Sequence, residues 1–119
     1  MNIQGFDFIA LQWRDLNAAK AFYHGMLGLE LAPQSPPDAV VFATQPIVFA
    51  VRKPLVDLEQ SPHLGHGVAL WLKADDSAEV LEHLRAEGIE IVKELSDSPF
   101  GQTFTFRDPQ GYPVTIHDG

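Results

Sequence analysis

Two stretches of this chain repeat each other at nearly the same distance, which restricts it to folds assembled from two copies of one small unit. Phe8-Ile9-Ala10-Leu11 matches Gly67-Val68-Ala69-Leu70, an offset of 59 (8 to 67). Leu27-Gly28-Leu29-Glu30-Leu31 matches Glu87-Gly88-Ile89-Glu90-Ile91 at an offset of 60 (28 to 88). A weaker pair sets Gln45-Pro46-Ile47-Val48 against Tyr112-Pro113-Val114-Thr115. The one-residue slip between the first two matches is assigned to the helix starts at Asp15 and Asp75/Asp76.

Each copy reads as a strand, a helix and three further strands. In residues 6–13, Ile9, Leu11 and Trp13 alternate with Phe8, Ala10 and Gln12; in the second copy Val68, Leu70 and Leu72 alternate with Gly67, Ala69 and Trp71. The aliphatic set of each strand should pack on the helix, and the mixed set should form the more open face. Asp15 caps a first helix with Ala19, Phe22, Tyr23, Met26 and Leu27 on its buried stripe, ended by Gly25 or Gly28. Asp76-Ser77-Ala78-Glu79 has the spacing of a capping box, with Val80, Leu81 and Leu84 buried and Gly88 as the stop. Strands are expected at residues 29–32, 39–44 and 47–52, and again at 89–95, 102–107 and 113–117, where Val, Ile, Phe and Thr dominate. Gln45-Pro46 and Asp108-Pro109-Gln110-Gly111 supply the turns. The expected organisation is a single domain over 1–119, with copy one at about 5–53, a linker at 54–65 and copy two at 66–119. The fold class is α+β: two βαβββ repeats forming a curved mixed sheet around a central cleft.

At 119 residues the chain suffices for one small core. It has no apolar run long enough to span a bilayer, no basic-plus-apolar leader at Met1-Asn2-Ile3-Gln4-Gly5 and no cysteine. A cytoplasmic protein without disulfides or thiolate chemistry is expected. The formal charge of −8 opposes binding to nucleic acid or to anionic membranes. Its ordinary role is solubility, and at long range it also attracts cations. Nothing in the sequence forms a Ser-His-Asp arrangement, a phosphate-binding glycine loop or a dinucleotide fingerprint.

Asp15-Leu16 followed by Ala21-Phe22-Tyr23 and Leu27-Gly28-Leu29-Glu30, with Pro99-Phe100-Gly101 and Phe104-Thr105-Phe106-Arg107-Asp108-Pro109-Gln110-Gly111-Tyr112 near the end, resembles the vicinal oxygen chelate superfamily. This group includes glyoxalase I, extradiol dioxygenases and bleomycin-resistance proteins, and the resemblance spans nearly the whole chain. It implies a small-molecule cleft, often completed by pairing between chains, so a homodimer is expected. In the metalloenzymes, His or Glu from the first and last strands of each copy hold one divalent ion. Carried over, those positions fall on Phe8, Gly67, Thr115 and Val48, or Phe49 if the register differs by one. Phenylalanine, glycine and valine offer no side-chain donor and a neutral threonine is a poor ligand, so no metal and no other cofactor is expected.

The five histidines do not restore the set. His66 precedes the ligand position by one residue and so faces away unless a bulge re-aims it. His63 and His66 read as a solvated loop pair, His24 and His83 as exposed helix residues, and His117 as a residue sharing the face of Thr115. With those positions lost, the resemblance implies a metal-independent binding protein of the bleomycin-resistance type, sequestering an aromatic or cationic ligand, as the leading expectation. Its expected ligand-binding residues are Phe8, Gln12, Phe49, Trp71, Thr115 and His117, with no catalytic residue among them. A metal-dependent glyoxalase- or dioxygenase-type enzyme using displaced ligands such as His66 and His117 stands as the alternative.

Overall fold

The computed structural model describes residues 1–119. It divides into two compact units, Met1–Gln60 and Ser61–Gly119. The first contains strands β1 (Phe8–Gln12), β2 (Ala39–Phe42) and β3 (Val48–Arg52) and helix α1 (Leu16–Lys20), which runs on as a π-helical segment, Ala21–Met26. The second contains β4 (Trp71–Lys73), α2 (Ser77–Ala86), β5 (Ile91–Ser98), β6 (Gly101–Arg107) and β7 (Pro113–His117).

Both sheets are mixed and share one plan. In the first, β1 runs parallel to β3, and β3 pairs antiparallel with β2. Leu31 bridges to Phe42 where a further strand was expected at 29–32, so that strand shrinks to one pair in copy one. In the second, β4 runs parallel to β7, and β7, β6 and β5 follow antiparallel in the order β4-β7-β6-β5.

The repeat is real, but its register differs from the one the sequence suggests. Gln12 pairs with Arg52 and Lys73 with His117, and the next backbone donors, Trp13 N and Ala74 N, reach the carbonyls of Arg52 and His117. Gln12 therefore corresponds to Lys73, an offset of 61, so the counterpart of Phe8 is Ala69 and not Gly67. Likewise Ala50, and not Val48, corresponds to Thr115. Both errors are of two residues and leave every side chain on its expected face. Gly67 lies outside the strand: the chain turns at His63–His66, where His66 N donates to the His63 carbonyl at 3.2 Å, and β4 begins only at Trp71.

The helices start as the sequence indicates. Asp15 accepts from Ala18 N at 3.1 Å, and Asp76 accepts from Glu79 N at 3.2 Å. They end differently. In copy one Leu27 N donates to the Phe22 carbonyl, a five-residue step that accommodates one residue more than an α-helix would. The slip of the repeat sits there, at the end of the helix and not at its start.

One face of each sheet packs under its helix. In the first unit Leu11, Trp13, Ala19, Phe22, Tyr23, Phe42 and Val51 are buried. Tyr23 sits edge-on to Phe22 and Phe49, with both centroid distances 4.9 Å. In the second, Leu81 and Leu84 of α2 are buried together with Phe104, Phe106, Val114 and Ile116. The β6–β7 turn is locked by buried Asp108, whose Oδ1 accepts from Gln110, Gly111 and Tyr112 N at 3.0, 2.9 and 2.9 Å. The Asp-Pro-x-Gly sequence is thus a turn device, satisfying three backbone donors with one carboxylate oxygen.

Candidate functional site

The face of the second sheet opposite α2 carries the polar and aromatic residues that the core leaves out. Strand pairing sets them in rows, because residues directly opposite each other share a face. One row is Trp71, Thr115, Thr105 and Lys93; the next is Lys73, His117, Thr103 and Ser96. Lys93 reaches this face through an irregularity. Ile91 pairs with buried Phe106 on the helix side, and a bulge between Ile91 and Lys93 turns the lysine outward opposite Thr105.

Trp71 is 46 % exposed, unusual for so large an aromatic group on a strand. Its ring meets Phe100 edge-on at a centroid distance of 5.8 Å and His117 at 5.5 Å. Beside it, the hydroxyls of Thr105 and Thr115 are hydrogen-bonded at 2.8 Å. The result is an aromatic wall next to a hydroxyl floor, suited to holding a flat molecule with a few polar atoms.

Phe100 is placed by its hairpin. Its N–H donates to Ser98 Oγ at 3.0 Å, Ser98 Oγ donates to the Gly101 carbonyl at 2.7 Å, and Gly119 N donates to the Phe100 carbonyl at 2.9 Å. Asp118 fastens the same hairpin: Oδ1 accepts from Gln102 N at 2.8 Å and Oδ2 from Ser77 N, at the start of α2, at 3.0 Å. The Ser77 backbone bond, then that from Gln102, holds the Asp118 carboxyl below its ordinary value, against a smaller desolvation effect. Gly101 has to be glycine here: its φ is +84°, and a Cβ would collide with Asp118 Oδ1.

Trp71, Thr115 and His117 come together on this face. Phe8 and Gln12 share the corresponding face of the first sheet, where Phe8 is 51 % exposed and Gln12 Oε1 accepts from Leu55 N at 2.7 Å. Phe49 is a correction. It pairs with Ile9 and Phe42 on the helix side and stacks on Phe42 at 5.3 Å, so it belongs to the aromatic core and not to the face of Phe8 and Gln12. Phe42, Phe104 and Phe106 are fully buried on the helix sides as well. The residues that sequence reasoning missed are Phe100, Thr105, Lys73 and Lys93. An aromatic at a Pro-Phe-Gly hairpin tip was a readable signal for Phe100; the bulge that exposes Lys93 left none.

The donor set does not fit a metal ion. Phe8, Ala69 and Ala50 have no side-chain donor, and Thr115 is engaged with Thr105. His63 and His66 lie with ring centroids 6.1 Å apart in an exposed turn, and no group of three or more His, Asp or Glu side chains gathers anywhere in the structure.

No protein of curated function matches the chain. Among solved structures it is similar to UcmS2, at 25 % identity and a TM-score of 0.75 over 100 % of both chains. It is also similar to a lactoylglutathione lyase from Agrobacterium tumefaciens, at 24 % identity and a TM-score of 0.70 over 100 % of this chain and 96 % of that one. A third is TnmS3, an antibiotic binding protein from Streptomyces sp. CB03234, at 22 % identity and a TM-score of 0.72 over 98 % of this chain and 97 % of that one. The family model of the Glyoxalase/Bleomycin resistance protein/Dioxygenase superfamily matches residues 5–116, and the chain belongs to that superfamily.

Proposed function

We propose that this chain is a metal-independent small-molecule binding protein of the bleomycin-resistance type, which sequesters an aromatic ligand against Trp71 and performs no chemistry on it. The observation that carries this reading is the half-exposed Trp71 ring, framed by Phe100, His117 and the Thr105–Thr115 pair. A binding role needs that surface and nothing more. The metalloenzymes of this superfamily hold one divalent ion, and the positions carried over from them are here Phe8, Ala50 and Ala69, which have no side-chain donor, and Thr115, a poor neutral ligand. TnmS3, which shares the fold, is an antibiotic binding protein, and sequestration of a toxic aromatic compound in the cytoplasm would amount to resistance.

The test is titration with bleomycin-type glycopeptides and flat aromatic compounds, read by Trp71 fluorescence in a Trp13→Phe background. Trp71→Ala should weaken binding by one to two powers of ten, roughly 1.4–2.8 kcal/mol, and leave the circular dichroism unchanged. A Trp71 that resists small quenchers, or a variant that unfolds without a specific loss of affinity, would make Trp71 a packing residue and end this reading. Calorimetric titration with Ni, Zn, Mn and Fe tests the alternative, and no stoichiometric binding is the expected result. Stoichiometric metal binding abolished by His66→Ala or His117→Ala would establish the enzyme reading instead.

A further inference from the structure

The open face of the second sheet carries a charge opposite to that of the molecule. The chain has 16 Asp and Glu against 8 Lys and Arg, yet β4, β6 and β7 contain no acidic residue. Their basic residues are Lys73, Arg107 and His117. Of the acids of β5, Glu94 is paired with Arg85 of α2, and Asp97 stands opposite Gln102, which shares the helix side with buried Phe104. Arg107 is also held, by Glu90 at 3.4 Å and by the Gly111 carbonyl at 3.1 Å. Lys73 and Lys93 are exposed, and neither is in an ion pair.

We propose that the ligand of the Trp71 face is an aromatic acid, with its ring system against Trp71 and Phe100 and its anionic group engaged by Lys73 or Lys93. This rests on the reading of that face as a ligand site and reverses the preference for cations that the net charge alone suggests. In the near field the Asp118 carboxylate at the Phe100 hairpin is taken up by the Gln102 and Ser77 N–H groups, which leaves Lys73 and Lys93 as charges free to meet a ligand. Glu79, Glu82 and Glu87 are carried by α2 and its end, on the far side of the sheet, so they lie farther from a ligand on the open face than Lys73 and Lys93 do.

Lys73 lies two residues along β4 from Trp71 on the same face. Lys93 ends Trp71's own row, three strand spacings or about 14 Å away, a gap that a fused ring system and an extended lysine span together. The threonine pair lies between them. In a hydrogen-bonded pair of hydroxyls one donates to the other, and the accepting hydroxyl keeps its own proton to offer an anionic oxygen.

The test is isothermal titration calorimetry of the full chain at neutral pH with 2-naphthoate, 2-naphthamide and 2-naphthylmethylamine. These share a ring and differ in charge. Naphthoate should bind about five- to tenfold more tightly than the amide, with the amine weakest. The Lys73→Gln/Lys93→Gln double variant should bring naphthoate down to the amide and leave the amide unchanged, and the Lys→Arg pair should restore it. An amine that binds as tightly as the carboxylate, or a double variant with undiminished naphthoate affinity, overturns the proposal. If charge makes no difference while Trp71→Ala weakens all three, this inference falls and the binding reading stands. If none of the three binds, both fall.

Discussion

Asp118 satisfies two backbone donors that would otherwise lack partners, Ser77 N at the start of α2 and Gln102 N at the start of β6. A carboxylate accepting from two N–H groups is stabilised in its charged form, so its folded pKa lies below the ordinary 3.8. A depressed folded pKa means that the contribution to stability is complete above 3.8 and is lost as the pH falls through the folded value. Asp118→Ala should therefore melt below the parent at neutral pH, and the gap should shrink below 3.8 and close in stronger acid. Thermal melts across the acid range check this, and a gap independent of pH would mean that the carboxylate charge is not the cause. Because the same clip fixes the hairpin bearing Phe100, the variant should also loosen the Phe100–Trp71 contact. At Trp13 the balance is different: buried Nε1 has no hydrogen-bond partner, so replacing indole by phenyl removes a desolvation cost of about 1–3 kcal/mol that offsets part of the lost packing. Trp13→Phe is for this reason a sound background in which Trp71 reports alone.

The two helices are the same device with one residue's difference. Asp15 to Gly28 spans one position more than Asp76 to Gly88, and the π-helical segment Ala21–Met26 absorbs the extra residue. Such a segment is a one-residue insertion that keeps Phe22 and Tyr23 on the core while the later residues continue to the turn. Deleting exposed Gly25 should convert it to α-helix and also remove a glycine that costs about 1 kcal/mol in a helix interior, so the protein should stay folded with a melting temperature within a few degrees of the parent. Deleting His83 from α2, which has no such slack, should rotate Leu84 off the core and unfold the second unit. Equal damage from both deletions would argue that the π segment is needed for packing. The same comparison explains what the sequence made legible. Caps, apolar stripes and, apart from the strand expected at 29–32, the succession of elements along the chain follow from local chemistry and periodicity, as at Asp15, Asp76 and the alternation around Trp71. Register does not, because matching letters at Phe8 and Gly67 carry no information about hydrogen-bonded partners. Phe49 entered as the one-residue alternative to Val48, and a one-residue shift reverses the face; Lys93 was invisible because a bulge, not the period of two, sets its direction.

At the scale of the whole molecule, part of the exposed apolar surface lies beside strands paired on one side only. β1 ends the first sheet beside β3 and β4 ends the second beside β7, and an edge strand presents backbone donors and acceptors to another chain. Around β1, Phe6, Phe8, Ile9 and Val48 are 92, 51, 37 and 39 % exposed, and ahead of β4, Val68 is 62 % exposed. A chain of 119 residues buries too little surface to leave these groups in water without cost, and contiguous exposed apolar side chains beside an open edge mark a surface that associates. A second copy of the chain presents the same edges, and a two-fold arrangement would close like against like without leading to open-ended growth. A homodimer of twice 13.2 kDa is therefore expected by light scattering at on the order of tens of micromolar. Ala10→Lys places a charge at an exposed position in the middle of β1 and should shift the population toward monomer while the circular dichroism stays that of a folded protein. A parent protein that scatters as 13.2 kDa at that concentration would show the edges to be tolerated as they are, and the apolar groups around β1 would then be free to take part in ligand binding.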